Sequence, residues 1–155
     1  MSGTDSSRAD GPLPPAPAVV LVNPQLGENI GGCARAMLNC GLTDLRLVKP
    51  RDGWPNPVAK AMAVGAVSVL DTAKVFETTA EACADLSFVF ATTARSRDMM
   101  KPVFTPRAAV PEMRTRIDSG QAVGLMFGPE RSGLAHDDLV VADAILNVPL
   151  NPAFS

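Results

Sequence analysis

One histidine, three cysteines and no long apolar run set the first limits on this chain of 155 residues. The single histidine, His136, is the lone candidate base for a serine–histidine–aspartate site and has no nucleophile elbow beside it. It reads as a helix-start or surface residue. Cys33, Cys40 and Cys83 include no Cys-x-x-Cys pair, and an odd number makes a poor disulfide framework. They read as reduced core thiols, with Cys33 and Cys40 on one face if their segment is helical. No zinc-ligand spacing occurs, and no metal is expected. No apolar run approaches the roughly 20 residues of a membrane helix. The polar, proline-rich start lacks the basic region and apolar core of a secretory signal. A cytoplasmic protein without membrane contact is expected.

What is present fits one α/β domain. The apolar fraction of 46% and charged fraction of 19% are ordinary for a globular chain long enough to bury a core. Residues 1–17 carry four prolines with Ser, Gly and Asp, so a disordered tail is expected there and a folded domain over 18–155. Ala18–Val22 is a continuous apolar run, as in a strand buried on both faces. Ile30–Cys40 suits a helix with Asn29 as N-cap and Gly41 as terminator. Further strands are expected at Leu45–Val48, Val67–Leu70, Leu86–Ala91, Ala122–Phe127 and Ala144–Val148. Further helices are expected at Pro57–Gly65, Glu77–Cys83, Arg107–Ile117 and His136–Val141. Such alternation implies a mostly parallel sheet flanked by helices. Ligands of these sheets bind beyond the carboxyl ends of strands. The loops after Val22, Ala91, Phe127 and Val148 are therefore the places to look for chemistry.

The first loop, residues 23–32, holds Asn29, Gly31 and Gly32 at the start of a helix, with Arg35 one to two turns in. It is neither G-x-G-x-x-G nor a P-loop. A phosphate at the helix N-terminus would suit it. Alternatively the glycines permit close helix packing and Arg35 is a solvated charge. The second loop begins Thr92-Thr93-Ala94 and opens a segment with Arg95, Arg97, Lys101 and Arg107 against Asp98 alone, a local charge of +3. The net charge of −2 on the whole chain argues mildly against a nucleic-acid ligand, but this patch suits phosphate oxygens. It reads equally as a solvated basic loop. In the third loop, Gly128 lets a ligand approach the backbone, and Glu130 with Arg131 is an ion pair, a turn or a binding pair. The fourth, from Val148 to Ser155, contains two prolines in four residues and should be an extended turn. Trp54, in a Gly/Pro-rich loop, reads as an anchor, though a base-stacking role would suit RNA.

Taken together the four loops resemble the SpoU/TrmH-type branch of the SPOUT methyltransferases, from about residue 18 onward. Asn29, Gly31 and Arg35 match its Asn-x-Gly-x-x-x-Arg motif, and residues 125–134 match its strand followed by Gly-x-Glu and Gly-Leu. Asn151-Pro152-Ala153-Phe154-Ser155 matches the opening of its third motif. Residues 94–97 and the Gly-Pro-Glu-Arg-Ser-Gly-Leu form look most like the branch that methylates the ribose of cytidine or uridine at tRNA anticodon-loop position 32. The resemblance implies an α/β-knot (SPOUT-type) domain, a homodimer, an RNA substrate and S-adenosylmethionine as cofactor. By position it implies cofactor contacts at Thr92, Thr93, Ala94, Gly128, Val148 and Ser155. Arg35, helped by Asn29 and Glu130, would meet the target ribose bound at the partner subunit. Arg95, Arg97, Lys101, Arg107 and Arg131 are the expected RNA contacts.

Those residue types are consistent with ribose methylation. A sulfonium already makes its methyl electrophilic, so alignment and removal of one proton are what remain for the protein. Other readings stand beside this one. Family members continue past the third motif with the helix that completes the cofactor pocket and knot, so a chain ending at Ser155 reads as truncated there. A non-catalytic RNA-binding relative or an inactive fragment is then an alternative. A ribosomal RNA target is another, and a nucleotide-binding α/β domain of a different family is a third.

Overall fold

The computed structural model describes residues 12–94 and 100–154. Its strands are β1 (Ala18–Val22), β2 (Leu45–Val48), β3 (Lys74–Phe76), β4 (Phe88–Thr92), β5 (Val103–Phe104), β6 (Val123–Phe127) and β7 (Ala144–Leu146). They form one parallel sheet in the order β3-β2-β1-β6-β4-β7-β5. The helices are α1 (Gly27–Asn39), α2 (Pro57–Ala63), α3 (Val67–Asp71), α4 (Thr79–Ala82), α5 (Pro106–Asp118) and α6 (His136–Val141). A parallel strand covered on both faces needs apolar residues at consecutive positions. β1 supplies them: Val19 joins the cluster with Ile30, Ala34 and Leu47, while Val20 and Val22 join Met126, Leu139 and Ala91 on the opposite face. The α1-α2-α3 layer covers the first face, extended by α5 over Phe90, Val123 and Leu146. The α4 and α6 helices cover the second.

The α1–α2 contact is set by Gly31. A Cβ there would stand 2.3 Å from the Ala59 carbonyl oxygen and 2.7 Å from the Met62 Cβ. α1 ends as expected at Gly41, whose φ of +75° suits a residue without a Cβ. The Gly41 amide bonds the Leu38 carbonyl at 3.1 Å and the Leu42 amide bonds that of Met37 at 2.8 Å, a Schellman end.

Several expectations are corrected. α1 begins at Gly27, and Asn29 lies within its first turn instead of capping it. Leu26 stands at the N-cap with no capping side chain of its own. Residues 67–70 are helical, because Val69 and Leu70 bury against the α1-α2 layer together with Ala63 and Ala66 at helical spacing. The edge strands β3 and β5 have three and two residues, too few for alternation to register. The last strand stops at Leu146, and Pro152–Phe154 forms a 3-10 turn where an extended turn was expected. Cys83 is buried and Cys33 half-buried, but Cys40 is exposed at the C-cap of α1, so the three are not all core thiols. Burial pushes the Cys33 and Cys83 thiols up to about 11. Residues 12–17 run without helix or strand, and the remainder of the expected tail, residues 1–11, lies outside the described residues. Among the described residues no helix is long and apolar enough to cross a membrane.

Candidate active site

Three of the four strand-end loops converge. The ends of β4, β6 and β7 border one cleft of about 530 Å³, a size that suits a small-molecule cofactor. Thr92, Thr93 and Ala94 line it from β4, residues 127–134 from β6, and Leu146, Val148 and Leu150 from β7. Its position follows from the strand order. The chain runs outward from β1 to β3, then crosses to β4, so the direction reverses around β6, where open parallel sheets place their ligands.

The walls are tightly specified. The Thr92 hydroxyl donates to the Met126 carbonyl at 2.8 Å, stitching β4 to β6 beneath the cleft. The Thr93 amide bonds the Leu146 carbonyl at 3.3 Å, doing the same toward β7. Residues 128–134 fold back on themselves. The Gly133 amide bonds the Pro129 carbonyl at 2.9 Å, and Gly133 has a φ of +70°. A Cβ on Gly128 would lie 2.3 Å from the Leu134 amide nitrogen. The loop itself therefore occupies the space beside Gly128, a reason for glycine that the sequence reading placed with a ligand.

The first loop joins this cleft through Glu130. The Gln25 amide donates to both carboxylate oxygens, at 2.9 and 3.2 Å, and the Leu26 amide reaches one at 3.5 Å. The nearby Asn29 side chain also favours the ionised form of this carboxylate. Desolvation pushes the Glu130 pKa up, but hydrogen bonds from its own amide, Gln25, Asn29 and Leu26 outweigh it and hold the carboxyl below its ordinary value. Glu130 and Arg131 are thus not an ion pair; Arg131 is exposed on the cleft rim.

Arg35 does not line the cleft of its own chain. It is exposed on α1 and has no side-chain partner among the described residues. Glu28, Gly32 and Arg35 follow helical spacing along one exposed face, and a Cβ on Gly32 would meet nothing within 4 Å. Gly31 therefore serves helix packing, whereas Gly32 leaves bare backbone beside Arg35.

The expected basic patch divides. The Lys101 ammonium donates to the carbonyls of Val140 and Ala142 at the end of α6. Arg107 is exposed in the first turn of α5. Arg95, Arg97 and Ser155 lie outside the described residues. Trp54 is half-buried against the α1-α2-α3 cluster, as an anchor would be, and His136 is the exposed first residue of α6. Arg51 was not singled out from the sequence. Its amide bonds the Pro24 carbonyl at 3.0 Å, and its guanidinium, paired with Asp52, lies in the electrostatic field of Glu130 and Glu28. Only its place in a Lys/Pro/Arg/Asp/Gly turn after β2 hinted at this position. Among the described residues no group of three or more His, Cys, Asp or Glu side chains comes together as a metal site would require.

Comparison with known proteins places this geometry. The tRNA (cytidine/uridine/adenosine-2′-O-)-methyltransferase TrmJ of Pseudomonas aeruginosa is 39% identical over 136 residues, 88% of this chain and 52% of that protein. The chain thus spans about half the length of the curated relatives it matches. The crystal structure of TrmJ from Z. mobilis ZM4 superposes with a TM-score of 0.85 at 56% identity, covering 90% of this chain and 61% of that one. A more distant likeness of fold links it to the SpoU methyltransferase AviRb from Streptomyces viridochromogenes, solved in complex with the cofactor AdoMet. That superposition has a TM-score of 0.66 at 17% identity, covering 100% of this chain and 56% of that one. The model of the SpoU rRNA Methylase family matches residues 16–155. With a parallel sheet, a cleft at its reversal point and Glu130 tying that cleft to the helix of Arg35, the chain belongs to the SpoU rRNA Methylase family.

Proposed function

We propose that this chain forms the catalytic domain of an S-adenosylmethionine-dependent methyltransferase acting on a ribose 2′-hydroxyl of RNA, with tRNA as substrate. The observation that carries the reading is the convergence of the β4, β6 and β7 loops on one cleft, joined by Glu130 to the helix bearing Asn29 and Arg35. The cleft fits the cofactor's mixed chemistry. Phe127, Leu134, Leu146, Val148 and Leu150 offer apolar wall to an adenine and thioether, and backbone groups around Thr93, Ala94 and Gly128 offer hydrogen bonds. Gly128, Thr92, Thr93, Ala94 and Val148 are its proposed contacts, with Ser155.

S-adenosylmethionine, when bound, supplies an electrophilic methyl group on a sulfonium. The ribose oxygen forms the new bond to that methyl carbon as the carbon–sulfur bond breaks, leaving a neutral thioether. The hydroxyl proton leaves for the adjacent target phosphate, or for Arg35 once its guanidinium has passed a proton to that phosphate. Arg35 orients that phosphate and hydroxyl, and its guanidinium fork suits phosphate oxygens. Because Arg35 is absent from the cleft lining of its own chain, it serves the cleft of a partner subunit in a homodimer. Arg131 on the rim and Arg107 on α5, together with Arg95 and Arg97, take the RNA backbone. Lys101 fixes the end of α6 alongside them. A cytoplasmic setting and a knotted closure behind the cleft belong to the same reading.

The names of the TrmJ relatives favour tRNA, and anticodon-loop position 32 is the proposed nucleotide. The family description favours ribosomal RNA as the second reading. The test is methylation of tRNA and rRNA by the intact protein and by its Arg35→Ala and Arg35→Lys variants, with the modified ribose mapped. Both variants should lose about a hundredfold or more in turnover. Near-normal turnover in both would remove Arg35 from the mechanism.

A further inference from the structure

Glu130 stands 105 positions from Gln25 in the chain, yet its carboxylate accepts the amides of Gln25 and of the N-cap residue Leu26, which lead into α1. α1 needs this outside partner. Its N-cap residue, Leu26, has no side-chain oxygen, and no residue at that position makes a capping bond. A carboxylate is favourable at a helix N-terminus, where free amides and the dipole meet it. Glu130 also lines the cleft, between Pro129 and Arg131. The segment that carries it folds back on itself. Gly128 is backed by the Leu134 amide, and the Pro129 carbonyl holds the Gly133 amide. A ligand that displaced Glu130 would therefore act on Gln25 and Leu26, the residues that lead into α1.

Resting on the proposed function, we infer that Glu130 is a positioning residue, whose carboxylate locks the start of α1, and with it Asn29 and Arg35, to the cofactor loop. It acts through α1 and does not take the substrate proton. Both of its oxygens already accept hydrogen bonds from the Gln25 amide, and one lies within reach of the Leu26 amide. Its depressed pKa, a property of a poor base, agrees with this. Across the neighbouring loop the Arg51 guanidinium, paired with Asp52, lies in the field of both Glu130 and Glu28.

The experiment is hydrogen exchange at the Gln25 and Leu26 amides of the intact protein, with and without S-adenosylmethionine, alongside calorimetry of cofactor binding. Removing a helix cap is expected to lower protection at these amides about five- to thirtyfold in Glu130→Ala. Glu130→Asp should recover part of it. In the unsubstituted protein, cofactor binding should raise protection at the same amides, and in Glu130→Ala it should leave them unchanged. Glu130→Gln should lower kcat with little change in cofactor Kd and keep the shape of the pH–rate profile. Unchanged amide protection in Glu130→Ala overturns the inference. So does cofactor binding that leaves Gln25 and Leu26 unaffected in the unsubstituted protein, or loss of a limb of the pH–rate profile in Glu130→Gln. Absence of cofactor binding to the unsubstituted protein would instead defeat the methyltransferase reading, while the Glu130→Ala exchange arm still decides whether Glu130 caps α1.

Discussion

Gly31 lies against the backbone of Ala59, so close that a methyl group there would sit 2.3 Å from its carbonyl oxygen. Backbone cannot yield as a long side chain can. Gly31→Ala should therefore push α1 off α2 and cost about 1–3 kcal/mol, as overpacking does. Gly32→Ala meets nothing and replaces a poor helix former, so it should stabilise by up to about 1 kcal/mol. Denaturant unfolding of the two variants gives opposite signs if this is right. A methylation assay on Gly32→Ala then asks whether the bare backbone beside Arg35 is used by a substrate or partner.

Acid should loosen the start of α1. The carboxyl of Glu130 is held below the ordinary glutamate value of about 4.3, so its contribution is complete above that value and is lost as pH falls through the lower folded one. Protection of the Gln25 and Leu26 amides, measured relative to their intrinsic exchange at each pH, should fall only below the ordinary range. Loosening already at pH 6 would contradict the assignment.

The cysteines should separate under alkylation. Cys40 is exposed, whereas burial pushes the thiols of Cys33 and Cys83 up to about 11 and leaves them protonated near neutrality. Mass spectrometry after brief treatment with iodoacetamide at neutral pH should find the label on Cys40, with Cys33 and Cys83 modified on unfolding. Early labelling of Cys83 would show that its part of the core opens.

Gly128→Ala should damage the cleft without unfolding the sheet. Its methyl group would collide with the Leu134 amide at 2.3 Å, and the loop must open to accept it. The expected result is S-adenosylmethionine affinity about tenfold weaker or worse, with a loss of stability of about 1–3 kcal/mol. Calorimetry together with thermal unfolding separates the two. Unchanged affinity would place the cofactor elsewhere.

Much of this was legible in the sequence. Long signals survived: the unbroken apolar run of β1, the positive-φ stop at Gly41 and the span of α6 came out as read. The strand-end loops were also identifiable, because parallel sheets put chemistry there. Short elements were not. Lys74–Phe76 and Val103–Phe104 owe their strand state to neighbours already in the sheet, and no window that short encodes it. Asn29 looked like a cap because the chemistry of caps is usually local. The helix instead begins two residues earlier, at Gly27, and the amides of Gln25 and Leu26 that lead into it bond Glu130 in another loop, which only the folded sheet brings there. Arg51 was missed for the same reason, and Lys101 looked like part of a free basic patch until the α6 carbonyls came beside it.

The strand order has a consequence for how the chain reaches this state. β6 pairs with β1 on one side and β4 on the other, so Val20 and Phe90 both wait for partners later in the chain, Met126 and Leu125. Until residues 123–127 are made, β1 and β4 each present an unsatisfied apolar edge. Such long-range closure slows folding, and open edges invite pairing with other molecules. During synthesis the protein should therefore be most vulnerable to aggregation after β4 emerges and before β6 slots between the two halves.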